Sequence, residues 1–124
     1  MKTAADVMTK QIVDIEANAT VAQAIEKMKE GDVSSLLIKP ESSMDTWGFM
    51  TDTDLIEKVV AKGLDPAEVY VHEIMSKPVI TVSPKSNLQE CAALLTRAEI
   101  RRVLVYDGKK IIGIVSSGDI FRAL

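Results

Sequence analysis

The feature that most constrains this chain is an internal repeat. Val7-Met8-Thr9-Lys10 aligns with Ile74-Met75-Ser76-Lys77, and the offset between the two copies stays constant through residues 33–38 and 100–105. A repeat of about 60 residues buries little apolar core by itself. We therefore interpret residues 1–64 and 65–124 as two repeats that pack together into one compact module.

Each repeat contains the same order of elements. Apolar residues at helical spacing predict a helix over residues 21–30 and another over residues 88–97. Short apolar runs on either side of these helices predict strands, so each repeat is predicted as strand, helix, strand, strand, helix. The Asp107-Gly108 pair predicts a tight hairpin in the second repeat. The predicted fold class is α+β, with the β-α-β-β-α pattern occurring twice.

Local signals indicate where the predicted helices begin and end. Thr20 and Gln23 form a predicted capping box, and we interpret Ser86 and Gln89 as its counterpart in the second repeat. Gly31 is expected to supply the left-handed residue that ends the first helix.

A motif near the end of each repeat marks the candidate sites. It consists of Gly, two apolar residues, a hydroxyl residue, two variable positions and Asp, and it occurs at residues 48–54 and 113–119. In both copies an apolar strand leads into a helix start, where unpaired N–H groups favour anions. The same residues also make an ordinary helix cap, so a purely structural role stays open.

Composition excludes several functional classes. The net charge of −3 and the aromatic content of 4% argue against a general nucleic-acid-binding surface. A single cysteine, Cys91, and a single histidine, His72, leave no cluster of metal ligands and no internal disulfide. No apolar run approaches the length of about 18 residues that a membrane helix needs. Since the chain also lacks a catalytic Ser-His-Asp set and a Gly-rich phosphate loop with Lys, we expect a cytoplasmic, non-enzymatic protein without a metal or cofactor.

The duplicated motif and its matched upstream segments resemble the CBS domain, and two such repeats in tandem resemble a Bateman module. The resemblance covers essentially the whole chain. It implies a pseudo-two-fold pair of repeats, with the sheets packed at their interface and the helices outside. It also implies a regulatory module with two clefts for adenosyl ligands such as AMP, ADP, ATP or S-adenosylmethionine. The implied partners are a second copy of the chain, as a homodimer, and a fused or separate effector protein.

The resemblance assigns residues of both repeats to a first cleft, cleft A. Asp119 would accept hydrogen bonds from ribose hydroxyls, and Ser116 would contact ribose or phosphate. One of Arg101 and Arg102 would meet phosphate, since strand alternation puts the two side chains on opposite faces. The alternative for this pair is a solvated or ion-paired role. The apolar walls around the adenine would come from Met8, Val13 and Val33.

A second cleft, cleft B, follows from the same resemblance. Thr51 and Asp54 would take the parts of the hydroxyl and the carboxylate. Ser34 and Ser35 stand where the second repeat has its arginine pair, which weakens the expectation of phosphate binding here. The apolar walls would come from Met75, Ile80 and Ile100.

Two further hypotheses from other functional classes stay open at this point. The first is a structural dimerisation module whose clefts remain empty. The second is a local nucleic-acid-binding surface formed by Arg97, Arg101 and Arg102, although neither nucleic acid nor a membrane is the expected partner.

Overall fold

A computed structural model describes residues 1–124 and divides them into two compact units. The first unit is Val13–Val79, and the second unit consists of Met1–Ile12 together with Ile80–Leu124. The units therefore do not coincide with the two sequence repeats. The leading segment of each repeat lies in the unit that holds the remaining elements of the other repeat.

The helices and strands follow the predicted order in both halves of the chain. In chain order they are α1 Ala4–Val7, β1 Asp14–Ile15, α2 Val21–Gly31, β2 Ser35–Ile38, β3 Gly48–Thr51, α3 Asp52–Leu55, β4 Thr81–Val82, α4 Leu88–Ala98, β5 Arg102–Tyr106, β6 Ile111–Ser116 and α5 Ser117–Arg122. A π-helical turn, Ile56–Val60, continues α3, and two 3₁₀ turns, Pro66–Glu68 and Val71–Glu73, precede β4. The predicted mixed α+β class with two small sheets is confirmed.

The first unit is a three-stranded sheet covered by α2. β2 lies in the centre, parallel to β1 and antiparallel to β3. The residues of α2 that face the sheet recur at three- and four-residue spacing, and Val21, Ala24 and Met28 are buried. They pack in one apolar cluster with Leu36 of β2 and Met50 of β3.

The second unit repeats this arrangement with β4, β5 and β6. β5 is central, and Cys91 and Leu95 of α4 are buried in a cluster with Val103 of β5 and Val115 of β6. The predicted hairpin is confirmed: the Asp107 carboxylate accepts hydrogen bonds from two following backbone N–H groups, and Gly108 has φ of +99°.

Two predicted helix boundaries were wrong by one residue. Gly31 is the last residue of α2, and the left-handed position is Asp32, with φ of 50°. An acidic residue takes this position because Asp tolerates the left-handed region, and its backbone N–H closes the helix end. In the second repeat the capping box joins Asn87 and Glu90, rather than Ser86 and Gln89.

The leading segment of each repeat is hydrogen-bonded to the last strand of the sheet in its unit. Thr9 exchanges backbone hydrogen bonds of 2.8 and 3.0 Å with Ile114 of β6. Ser76 exchanges two of 2.9 Å with Phe49 of β3. These bonds place Met8 and Met75 beside the two glycines that open the candidate motifs.

Candidate functional site

The first candidate corner lies where β3 meets α3. The backbone N–H of Thr51 donates to Asp54 Oδ2 at 2.9 Å, and the N–H of Asp54 donates back to Thr51 Oγ1 at 3.2 Å. This is a complete capping box, which satisfies two backbone donors at the helix start. The structural role of the motif, predicted as an alternative to ligand binding, is therefore present.

The second corner, between β6 and α5, has the same geometry. The N–H of Ser116 donates to Asp119 Oδ2 at 2.8 Å, and the N–H of Asp119 donates to Ser116 Oγ at 3.1 Å. Each corner thus fixes one carboxylate oxygen to the backbone and leaves Oδ1 for another partner. An occupied helix cap and a ligand contact through Oδ1 are compatible.

A basic side chain one helical turn downstream contacts this second oxygen in both corners. Arg122 Nη2 lies 2.7 Å from Asp119 Oδ1, and Lys58 Nζ lies 3.5 Å from Asp54 Oδ1. The sequence analysis missed both residues. The three- and four-residue spacings between acid and base were the signal that would have revealed them, because residues so spaced share a helix face.

Close packing against a methionine explains the glycine that opens each motif. A Cβ on Gly113 would contact Met8 Sδ and lie 2.8 Å from Met8 Cγ. A Cβ on Gly48 would lie 2.7 Å from Met75 Sδ. Met8 and Met75 were predicted as apolar walls of the clefts, and the structure places each against the motif of its own unit.

The arginine pair borders the second corner through the register of its strands. Arg102 pairs with Ser116 across β5 and β6, and the N–H of Ser117 donates to the Arg101 carbonyl at 2.9 Å. Arg101, just before β5, is exposed, and Arg102, its first residue, is partly buried. In the first unit Ser35 pairs with Thr51 in the same way, without a cation.

The residues assigned to each cleft are divided between the two units. Of cleft A, Met8, Arg101, Arg102, Ser116 and Asp119 lie in the second unit, whereas Val13 and Val33 lie in the first. Of cleft B, the first unit contains Thr51, Asp54 and Met75, whereas the second contains Ile80 and Ile100. Their meeting in common clefts stays a prediction.

Outside the two corners, the structure shows an acidic surface hollow and no cluster of metal ligands. An open hollow of about 550 Å³ in the first unit is bordered by Glu16, Glu26 and Glu30, which disfavour an anionic ligand. No group of three or more His, Cys, Asp or Glu side chains is placed to hold a metal ion. His72 is exposed and stacks on Tyr70. None of the helices has the length and apolar character that crossing a bilayer requires.

The family model of the CBS domain matches the chain twice, at residues 4–61 and 71–124. The crystal structure of a hexameric CBS-CP12 protein from bloom-forming cyanobacteria superposes with a TM-score of 0.92 at 39% identity, covering 97% of this chain and 66% of that one. A protein of Methanopyrus kandleri is 35% identical over 94% of this chain and 60% of its own length. Hypoxic response protein 1 of Mycobacterium tuberculosis is 30% identical over 100% of this chain and 86% of its own. The chain therefore spans about two thirds of the first two of these proteins.

Proposed function

Because the chain belongs to the CBS-domain family, with two repeats that together cover most of its length, we propose that it is a regulatory module that binds an adenosyl ligand. Pairs of CBS domains are generally regulatory, ligand-sensing modules. The proposed ligands are AMP, ADP, ATP and S-adenosylmethionine. The proposed role is non-enzymatic, with the nucleotide as a regulatory ligand and not as a cofactor.

The observation that supports this proposal is the polar corner of the second repeat. The Asp119 side chain is only 11% exposed, yet its Oδ1 is held by nothing more than an exposed arginine. A fixed, partly desolvated carboxylate is a suitable acceptor for the two vicinal hydroxyls of a ribose. Arg101, whose backbone contacts the same corner, has an exposed guanidinium, and a guanidinium binds phosphate oxygens in pairs.

Ligand binding would act on a partner through the two units. A nucleotide that contacts residues of both units stabilises one relative placement of them over others. A partner that distinguishes these placements then responds to nucleotide concentration. The partner is either an effector protein or a further domain. A reducing, cytoplasmic location also belongs to the proposal, since the single cysteine is free and buried.

Self-association is a further part of the proposal. Ile56 and Phe121 stand at matching positions, two residues after the motif aspartates, and both are exposed. Together with the exposed Val60 and Leu124 they give the segment that follows each motif, residues 55–60 and 120–124, an uncovered apolar surface. A homodimer that covers these residues fits this pattern. Light scattering should give the mass of a dimer for the wild type and the mass of a monomer for the Ile56→Ser/Phe121→Ser variant.

Isothermal titration with AMP, ATP and S-adenosylmethionine tests the ligand proposal. Asp119→Asn should weaken binding by at least about tenfold, because hydrogen bonds to a charged acceptor contribute roughly 1.5–3 kcal/mol. Asp6→Asn is the matched control, since Asp6 forms a capping box in the same unit but is not one of the residues assigned to cleft A. Unchanged affinity in Asp119→Asn would remove this carboxylate from the site.

The structural dimerisation module is the second candidate function. The complete capping boxes favour it, because they account for both motif aspartates without any ligand. If no adenosyl ligand binds below millimolar concentration while the chain still forms a dimer, this second function replaces the first.

A further inference from the structure

We propose that Lys58 closes the corner of the first repeat to ligands, whereas the corner of the second repeat is open, so that each chain binds one nucleotide, through Asp119. This inference rests on the proposed function and adds to it the number of sites and the residue that limits that number. It follows from how differently the two motif aspartates are held.

Lys58 is held by two partners in the first corner. Its ammonium lies 3.5 Å from Asp54 Oδ1 and donates to the Ile74 carbonyl at 3.0 Å. Ile74 is a buried residue of the apolar cluster in the first unit. A ribose hydroxyl that displaced Lys58 from Asp54 would also strain or break its bond to Ile74. Leaving a carbonyl there without its donor carries a desolvation cost.

Arg122 is anchored at a single point in the second corner, whereas Lys58 is anchored at two in the first. The Arg122 side chain is 71% exposed, against 39% for Lys58, and its guanidinium donates to Asp119 Oδ1 at 2.7 Å. Because most of the Arg122 side chain is exposed, water can solvate its guanidinium once it is released from Asp119. A ligand hydroxyl can therefore replace Arg122, which turns into solvent or toward a ligand phosphate.

The residue just before the strand that borders each corner, β5 or β2, shows a second, independent difference. The residue whose carbonyl receives the first helical N–H is Arg101 in the second unit and Ser34 in the first. Only the second corner therefore carries a guanidinium at this position, where it balances the charge of a phosphate. Both differences favour the same corner.

Equilibrium dialysis with radiolabelled AMP and ATP measures the number of nucleotides bound per chain at saturation. The wild type should bind one, and Asp119→Asn should bind well under one at the nucleotide concentration that just saturates the wild type. Lys58→Met removes the ammonium, keeps the length of the side chain and should raise the number to two. Lys58→Gln is the companion variant, because its amide can still donate to the Ile74 carbonyl if Lys58→Met fails to fold.

Lys62→Met is the matched control, since Lys62 is an exposed lysine just beyond the same helical segment. It should still bind one nucleotide. The double variant Lys58→Met/Asp54→Asn should return to one, which assigns the additional nucleotide to the first corner.

Three results would overturn the inference while leaving the proposed function in place. These are two nucleotides on the wild type, one nucleotide that is lost with Asp54→Asn and kept with Asp119→Asn, or one nucleotide on both folded Lys58 variants. Absence of binding in the wild type and in every Lys58 variant would refute the proposed function itself, and the inference with it.

Discussion

Substituting Gly113 by Ala tests how the candidate motif is packed. A Cβ at this position would lie 2.8 Å from Met8 Cγ and 3.0 Å from Met8 Cβ, and would also contact Met8 Sδ. Carbon atoms in favourable contact are about 3.5–4.0 Å apart, so Met8 must retreat by about 0.5 Å or more. The backbone hydrogen bonds between Thr9 and Ile114 oppose that movement.

The expected cost combines two opposing contributions. Overpacking of a well-packed site costs about 1–3 kcal/mol. Because Gly113 does not have a positive φ, alanine can adopt its backbone conformation. The added methyl group then lowers the conformational entropy of the unfolded chain, which stabilises the folded state by about 0.4–1 kcal/mol. The net loss should be about 0.5–2 kcal/mol. For a chain of this size that corresponds to a fall in Tm of roughly 2–8 °C.

Gly48→Ala is the matched control in the other unit. Its new Cβ would approach Met75 Sδ at 2.7 Å, but Met75 Cγ only at 3.4 Å and Ile38 Cβ at 3.3 Å. The thioether sulfur lies far along a flexible side chain and can rotate away. The stability of Gly48→Ala should therefore stay within about 0.5 kcal/mol of the wild type.

Urea unfolding followed by circular dichroism measures the free energy of unfolding of these variants, in the wild-type and Met8→Ala backgrounds. Met8→Ala removes the Cγ and Sδ atoms but keeps the Cβ at 3.0 Å, so Gly113→Ala should cost less in this background, with a coupling energy of about 1 kcal/mol. An equal loss in both backgrounds would refute the reasoning. So would a Gly48→Ala variant as unstable as Gly113→Ala.

Two further predictions concern titratable groups outside the corners. The Lys77 ammonium, 2.6 Å from the carboxylate, and the backbone N–H groups of Glu41 and Thr46 together lower the pKa of Asp45 to about 2. The folded state therefore favours the ionised form; this contribution is present above the ordinary pKa of 3.8 and is lost as the pH falls through about 2. The Tm of the wild type should fall between these pH values more than that of Asp45→Asn, and parallel curves would contradict the assignment. Burial raises the pKa of Cys91, so the thiol should resist Ellman's reagent in the folded protein and react fully in guanidinium chloride. Rapid reaction of the native protein would show that the helix does not bury this residue.

The sequence by itself determined the elements that depend on local patterns. Helical spacing in residues 21–30 and 88–97, the Asp107-Gly108 turn and the duplicated motif were enough to predict the α+β repeat and its family. The physical reason is that periodicity, turn chemistry and helix caps act between residues close together in the chain. Even the missed cap was available, because the constant offset pairs Thr20 with Asn87.

Only the tertiary structure decided which segments pair across long separations. Met8 and Met75 lie in segments of the same pattern, and Gly48 and Gly113 open motifs of the same pattern, so pattern matching fits either pairing. The structure places Met8 with Gly113 and Met75 with Gly48. It likewise showed that Lys58 reaches the backbone carbonyl of Ile74, distant in sequence, while the mostly exposed Arg122 contacts Asp119 in its own helix. Such contacts depend on where the folded chain brings residues that no local pattern connects.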